Sequence, residues 1–343
     1  MQRMLVSPSI SESARPAIRT LTVPYWAPMQ LRDFGNTSLR VSEYGLGCAR
    51  IGGVFQGSAS GFLDLLSFAF DRGINFYDTA DMYSQGESEA LIGKALRGRR
   101  DRVIIASKVG YRLGGRRRLA AKLKPLLRPL VQKLKLKRDK LPSASKGAIS
   151  QDFSAAYLRS AVEGSLRRLR TDHLDVLQLH SPPLEVIERG EWLPTLEELQ
   201  RTGKVRYYGI AVDTLEAGLA ALRYANISSL QFRLSLLEPQ AAEELFPRAR
   251  EQGVGTIARE CLGNGLLAKP ADQVDLKANC SSVEEEERRA MQLAELRGAA
   301  AARGLTLLQT ALAYPPSVPG VGVTLLGARS VEQLRGLLSA AQR

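Results

Sequence analysis

Short apolar segments rich in β-branched residues alternate along the chain with segments in which apolar residues recur every three or four positions. The first pattern favours buried strands, and the second favours amphipathic helices. Eight strands are predicted, at residues 43–48, 74–77, 103–107, 176–180, 205–210, 228–232, 255–258 and 322–326. Helices are predicted at 62–70, 86–96, 155–169, 192–201, 215–224, 241–252, 284–303 and 331–341.

This alternation predicts the fold class. Strands that alternate with helices form parallel sheets with helical crossovers, and eight such units close a (β/α)8 TIM barrel. A doubly wound sheet is the alternative. Gly45-Leu46-Gly47 begins a dinucleotide-binding glycine motif, but Arg50 occupies its last glycine position, so that motif is not complete.

The chain before the first predicted strand divides into two parts. Residues 29–41 read as a β-hairpin that turns at Gly35-Asn36, and we expect this hairpin to close the bottom of the barrel. Residues 1–28 contain no apolar segment of the kind found in secretory signals, and we interpret them as a loose N-terminal extension. The predicted organisation is therefore this extension followed by a single barrel domain, residues 29–343.

Composition narrows the class of protein. The chain has 343 residues, 44% of them hydrophobic, and no apolar run approaches the roughly 18–20 residues of a membrane helix. Cys48, Cys261 and Cys280 have neither metal-binding spacing nor an even count for a disulfide framework. These features predict a soluble, cytoplasmic protein without a metal site or a transmembrane segment.

The net charge of +13 is concentrated in one segment. Residues 112–146 contain thirteen basic residues and one acidic residue, Asp139, and therefore carry +12. The segment follows the third predicted strand, where the chain has about 40 residues more than a plain strand–helix–strand step of roughly 30 needs. We expect this basic insertion to border the mouth of the barrel.

Four interpretations of the insertion stay open. It could be a lid helix with solvated charges, a site for an anionic substrate or an acidic partner such as a carrier protein, or an interfacial helix on anionic lipid. Nucleic-acid binding is the fourth and least favoured, because no aromatic residue follows Tyr111 in this segment to stack on bases.

Candidate chemistry lies at the carboxyl ends of consecutive strands, where barrel enzymes carry their active sites. Asp78 and Tyr83 follow strand two, Lys108 ends strand three and His180 ends strand four. A lysine lowers the pKa of a nearby tyrosine, an aspartate holds that lysine charged, and a histidine can donate to a carbonyl oxygen. Each residue alone has a structural explanation, such as a helix cap for Asp78, but together they form a set for proton transfer to oxygen.

The motifs around these residues resemble the aldo-keto reductase family from about residue 29 to residue 341. The matching segments are Tyr77-Asp78-Thr79-Ala80-x-x-Tyr83, Ala106-Ser107-Lys108, the stretch from Ser165 to Pro182, Gly203-Lys204-Val205-Arg206-x-x-Gly209, and Gly327-Ala328-Arg329-Ser330-x-x-Gln333-Leu334. The resemblance implies that Tyr83 is the general acid, that Lys108 and Asp78 tune it, and that His180 orients the substrate carbonyl.

The resemblance also implies an NADP(H) site across the mouth. Gln231 matches the position that binds the nicotinamide amide, and Arg329 and Ser330 match the clamp on the adenosine 2′-phosphate. A guanidinium favours NADP(H) over NAD(H) because it binds phosphate through two hydrogen bonds. The remaining cofactor residues implied in this way are Arg259, Leu262, Gly263, Gly265, Gly327 and Gln333.

Four positions depart from the family pattern. Ala211 and Val212 stand where the family commonly has serine and asparagine, and Gly336 and Leu337 replace glutamate and asparagine at the adenine end. The loss of two or three hydrogen bonds of about 0.5–1.5 kcal/mol each would weaken cofactor binding by about one to two orders of magnitude.

The sequence thus predicts an NADPH-dependent oxidoreductase that reduces an aldehyde or ketone to an alcohol, in a monomer or small oligomer. The substrate is a small carbonyl compound, and the basic insertion favours an anionic or carrier-bound one. Two alternatives stay open on the same fold: a regulatory or binding protein, and a tailoring enzyme whose acid–base groups work without net hydride transfer.

Overall fold

The computed structural model of the chain describes residues 29–53, 57–113 and 149–342. Its strands in chain order are β1 Leu31–Asp33, β2 Arg40–Ser42, β3 Tyr44–Gly47, β4 Phe76–Asp78, β5 Ile104–Val109, β6 Tyr111–Leu113, β7 Ile149–Gln151, β8 Leu174–His180, β9 Val205–Ala211, β10 Ser229–Arg233, β11 Gly255–Arg259 and β12 Val323–Gly327. Its α-helices are α1 Ala59–Asp71, α2 Glu87–Ala95, α3 Ala155–Leu169, α4 Leu184–Arg189, α5 Leu193–Arg201, α6 Leu215–Ala221, α7 Leu245–Glu251, α8 Val283–Ala301, α9 Leu307–Ser317 and α10 Val331–Ala341.

Eight of these strands close a parallel barrel in the order β3-β4-β5-β8-β9-β10-β11-β12, and β12 pairs with β3. They correspond one to one to the eight strands predicted from the sequence, so the TIM-barrel prediction is confirmed. The helices cover the outside of the barrel over one large apolar core. Within the described residues, no helix is long and apolar enough to cross a membrane.

Alternation along the strands decides which side chains face the lumen of the barrel. Phe76 lies in the inner apolar cluster, and its neighbour Tyr77 lies in the outer core under the helices. Because strand side chains alternate with a period of two, Asp78 returns to the inner face. The same alternation takes β5 from Ala106 in the inner cluster to Lys108, so both polar residues point into the upper lumen.

The N-terminal hairpin of β1 and β2 packs at the lower end of the barrel. Phe34 is fully buried in the inner cluster, with its ring centroid 5.9 Å from that of Phe76. Gly35 turns the chain there with φ of +56°, and a side chain at this position would collide with the carbonyl oxygen of Gly253. The turn therefore needs glycine for its backbone angle and for its close approach to the barrel.

Three features were not predicted. No helix was predicted where α4 and α9 lie, and β6 and β7 form an antiparallel pair in which Leu113 pairs with Ile149, on either side of residues 114–148. The basic insertion, apart from Arg112 and Leu113, lies outside the described residues, and so does the extension 1–28. Strand β7, which follows the insertion, adjoins the end of β8, because Gln151 donates a hydrogen bond of 2.7 Å to the carbonyl oxygen of Ser181.

Candidate active site

Adjacent barrel strands bring Asp78 and Lys108 together at the upper end of the lumen. The Lys108 ammonium lies 2.7 Å from both carboxylate oxygens of Asp78, and the two side chains are 1% and 5% exposed. A charged pair this deeply buried depends on its mutual contact, because neither group reaches water. The sequence-predicted pair therefore exists as a buried ion pair.

Tyr83 lies in a short turn that follows β4, and its hydroxyl is 3.3 Å from the Lys108 ammonium. The third acceptor around Lys108 is the carbonyl oxygen of Thr79, at 3.0 Å. An ammonium has three hydrogens and cannot accept a hydrogen bond. Lys108 thus donates to Asp78, Thr79 and Tyr83, and the phenolic proton of Tyr83 is left for another acceptor.

The protonation of Tyr83 differs from the prediction. Burial raises the pKa of the Tyr83 phenol above its ordinary value of 10, and this effect exceeds the lowering by Lys108. The expected net decrease in the pKa of Tyr83 is therefore wrong, because the cost of removing a phenolate from water exceeds its stabilisation by the neighbouring ammonium. Tyr83 is held as a neutral phenol at neutral pH, which suits a proton donor.

His180 ends β8 beside Tyr83, with the two ring centroids 5.7 Å apart and the ring planes at 83°. Burial, followed by the charges of Lys108 and Arg259, lowers the pKa of His180 well below 6.5. The imidazole is therefore neutral and carries one proton. All four residues predicted to form the site are thus brought together at the mouth.

Gln231 has a partner that the sequence did not indicate. It is 1% exposed, and its amide nitrogen donates a hydrogen bond of 2.8 Å to Asp78. Gln231 therefore supports the carboxylate that holds Lys108. Its predicted contact with the nicotinamide stays a prediction.

Arg259 and the glycine loop after β11 are engaged within the protein. The Arg259 guanidinium forms ion pairs with Asp213 and Glu260, and it donates to the carbonyl oxygen of Val212 at 3.1 Å. Leu262 is partly buried, while the amides of Gly263 and Gly265 donate to carbonyl oxygens within the loop at 2.8 and 2.9 Å. The predicted contacts of these amides with phosphate would require the loop to exchange those bonds.

The residues after β12 form the N-terminus of α10. Ser330 caps this helix through a hydrogen bond from the amide of Gln333 at 3.3 Å, and the Gln333 side chain accepts one from the amide of Arg329 at 2.8 Å. Gly327 and the Arg329 side chain are exposed. The cap explains Ser330 and Gln333 structurally and leaves the Arg329 guanidinium as the group suited to a phosphate.

The departures from the family pattern have simple structural consequences. Ala211 and Val212 are 2% and 0% exposed, and they present no polar side chain to the mouth. Gly336 is exposed on α10 and Leu337 is partly buried there. Their effect on cofactor affinity stays a prediction.

Comparison with known proteins identifies the family. The model of the aldo/keto reductase family matches residues 44–343. This chain belongs to the aldo/keto reductase family. It is therefore an oxidoreductase whose four polar residues occupy the mouth of the family's barrel.

Individual relatives of this aldo/keto reductase match it over most of its length. It is 32% identical over 321 residues to the uncharacterized oxidoreductase YqkF of Bacillus subtilis, with 91% of each chain covered. It is 31% identical over 336 residues to the aldo-keto reductase AFTS1 of Alternaria alternata, with 90% and 86% covered. The holo form of the aldo-keto reductase AKR11C1 of Bacillus halodurans superposes with a TM-score of 0.72 at 29% identity, covering 92% and 91% of the two chains.

The carboxyl group of Asp81 lies next to the site of this aldo/keto reductase. The amide of Asp81 donates to the carbonyl oxygen of Lys108 at 3.0 Å, and one oxygen of the Asp81 side chain lies 3.3 Å from the Tyr157 hydroxyl. The other oxygen is buried and has no hydrogen-bond partner among the described residues. Burial, together with the charge of Glu89, raises the pKa of Asp81 to about 7, and Arg168 and Tyr157 oppose this increase.

We expect Asp81→Asn to stabilise the protein at pH 8 by roughly 1–3 kcal/mol and to give no gain at pH 5. Between about pH 4 and 7 the folded protein holds a proton on Asp81 that the unfolded chain releases. The stability that this proton provides is present at low pH and is lost as the pH rises through 7. An amide resembles the protonated acid and cannot ionise.

Urea unfolding at both pH values measures the difference in stability between Asp81→Asn and the unaltered protein, with Asp64→Asn at an exposed aspartate as control. An equal effect of Asp81→Asn at pH 5 and pH 8 would contradict this prediction.

Proposed function

We propose that this aldo/keto reductase reduces aldehydes or ketones to alcohols with NADPH and that Tyr83 is the proton donor. The observation that carries the proposal is the set of acceptors around Lys108. The ammonium donates to Asp78, Thr79 and Tyr83, so the proton of Tyr83 can point to a substrate oxygen. Reduction of a carbonyl group requires this proton as negative charge develops on the oxygen.

Each polar residue has a role in this reaction. Lys108 stabilises the phenolate that Tyr83 becomes after it gives up its proton, and Asp78 keeps Lys108 charged. Neutral His180 donates a hydrogen bond to the carbonyl oxygen and so holds the carbonyl carbon in place. The bound cofactor would supply the hydride to that carbon, which balances the proton from Tyr83. Tyr83 then recovers a proton from water.

The preference for NADPH rests on Arg329. Its guanidinium makes no hydrogen bond or ion pair with the described residues, and it stands at the N-terminus of α10, where a helix favours negative charge. A 2′-phosphate at this position would bind the Arg329 guanidinium and would also be stabilised by the positive end of the helix dipole. We also propose that the substrate is a carbonyl compound that is anionic or bound to a carrier. The basic insertion near the mouth would favour such a substrate.

The test combines cofactor titration with a substrate panel. We expect NADPH to bind more tightly than NADH by fluorescence titration, and we expect NADPH absorbance to fall with at least one aldehyde or ketone from a panel of neutral and anionic compounds. Arg329→Ala should weaken NADPH binding by about 10- to 100-fold and leave NADH binding nearly unchanged, because only NADPH carries the 2′-phosphate.

Arg303→Ala, at an exposed arginine in the turn after α8, is the matched control and should change neither affinity. Equal losses for NADPH and NADH in Arg329→Ala would remove Arg329 as the 2′-phosphate ligand. A dissociation constant for NADPH weaker than millimolar in the unaltered protein would overturn the proposed reductase function.

A further inference from the structure

The orientation of the His180 ring has an unusual cause. Histidine rings at functional sites are commonly fixed by a hydrogen bond to one ring nitrogen, which also selects the tautomer. The Nδ1 atom of His180 is buried and has no hydrogen-bond partner among the residues that the structure describes. Some other contact must therefore hold the plane of this ring.

Two tyrosine rings supply that contact. Tyr83 lies edge to face with His180 at 5.7 Å, and Tyr111 does so at 4.8 Å with the ring planes at 89°. Such perpendicular ring pairs are worth about 0.5–1.5 kcal/mol beyond the area that they bury. Tyr111 makes the closer contact, and it does not belong to the group of four residues that carries the proton chemistry.

Tyr111 is itself fixed from two directions. Its carbonyl oxygen accepts a hydrogen bond of 2.6 Å from the hydroxyl of Tyr157 on α3, and Asp81 lies 3.3 Å from the same hydroxyl. On the other side, Tyr111 pairs with Gln151 across β6 and β7, and Gln151 donates to the carbonyl oxygen of Ser181 at 2.7 Å. The backbone of Tyr111 is therefore tied to α3 and to the residue that follows His180.

We propose that Tyr111 is a positioning residue that holds the imidazole of His180 in the orientation for substrate binding, with Tyr157 as its anchor. The tautomer follows from the same geometry. Nδ1 has no partner in either tautomer, but a proton on Nδ1 would be buried without an acceptor, whereas Nε2 is not a buried atom without a partner, so an N–H group there can meet an acceptor at the mouth. The proton therefore resides on Nε2, and His180 is a hydrogen-bond donor through that atom. The catalytic consequence, but not the ring geometry, rests on the proposed reductase function.

Nuclear magnetic resonance tests the geometry without any activity. The chain contains only two histidines, His173 and His180, so selective ¹⁵N-histidine labelling gives two imidazoles, and His173→Gln assigns them. We expect a single Nε2–H tautomer for His180 in the unaltered protein and in Tyr111→Phe, which retains the ring. Tyr111→Leu should shift the His180 signals toward an average of the two tautomers.

Kinetics test the consequence in the same variants. Tyr111→Leu should lower kcat for carbonyl reduction by about 10- to 100-fold with a smaller change in KM, and Tyr111→Phe should restore most of the rate. Tyr157→Phe, which removes the hydroxyl group that anchors the backbone of Tyr111, should give an intermediate loss. Tyr207→Leu, at a tyrosine that packs beside the inner apolar cluster near the lower end of the barrel, is the matched control and should have neither effect.

The outcomes separate the two proposals. Unchanged His180 signals in Tyr111→Leu would overturn the positioning role whether or not the protein reduces carbonyl compounds. A rise in KM with kcat unchanged would make Tyr111 a wall of the substrate pocket and would also overturn it. If no carbonyl compound is reduced but the tautomer shifts as expected, the positioning of the ring stands and the proposed reductase function fails.

Discussion

Replacing Tyr83 by phenylalanine should lower kcat for carbonyl reduction by about 10²- to 10⁴-fold, the usual contribution of a positioned general acid. The substitution removes a single hydroxyl group and keeps the ring that contacts His180. The substrate oxygen then has no proton donor as it becomes negative. Stopped-flow measurement of NADPH oxidation at saturating carbonyl substrate gives the rate of this step.

The control for this experiment is a tyrosine that is buried elsewhere. Tyr44 donates to the carbonyl oxygen of Leu312, so Tyr44→Phe also removes one buried hydroxyl group and should leave the rate unchanged. Tyr83→Phe should bind NADPH as the unaltered protein does. A Tyr83→Phe protein that keeps its rate would exclude Tyr83 as the acid, and one that loses NADPH binding would show that the hydroxyl group serves cofactor binding.

Removing either partner of the Asp78–Lys108 pair should destabilise the protein by about 3–5 kcal/mol, the cost of leaving a buried charge without its partner. Asp78→Leu leaves the Lys108 ammonium with only Thr79 and Tyr83 as acceptors. Lys108→Met leaves Asp78 with the amide of Gln231. Both single variants should also lose most of the carbonyl reduction, because Tyr83 loses the ammonium that stabilises its phenolate.

The double variant Asp78→Leu/Lys108→Met separates charge from packing. It removes both charges together, so we expect it to be more stable than either single variant by about 1–3 kcal/mol. Urea unfolding of the four proteins gives this double-mutant cycle. If the double variant loses the sum of the two single losses, the pair is not coupled and the buried ion pair does not hold Lys108 in place.

The prediction of the fold succeeded because alternation along strands is a local property of the sequence. A period of two that begins at apolar Phe76 and Ala106 carries Asp78 and Lys108 to the same inner face. No helix was predicted where α9 lies, and Pro315 and Pro316 near its end are residues that disfavour one. Its start was nevertheless marked, since Thr306 and Gln309 form a capping box that could have indicated a helix.

The site was predicted less completely than the fold. The four residues could be named from their places at strand ends, but the pKa of Tyr83 depends on how deeply the folded chain buries it. Tyr111 was not recognised because its anchor, Tyr157, lies 46 positions later in the chain. Contacts of this kind depend on tertiary packing, and no local spacing in the sequence indicates them.

Phe34 closes the lower end of the barrel lumen. Its ring fills the amino end of the lumen together with Leu39 and Val41, so water does not pass through the barrel from below. In the proposed reaction, the proton that returns to Tyr83 would therefore arrive through the same mouth by which the alcohol leaves. Release of the product and reprotonation of Tyr83 would then share one route, and the residues around that mouth would affect the rates of both.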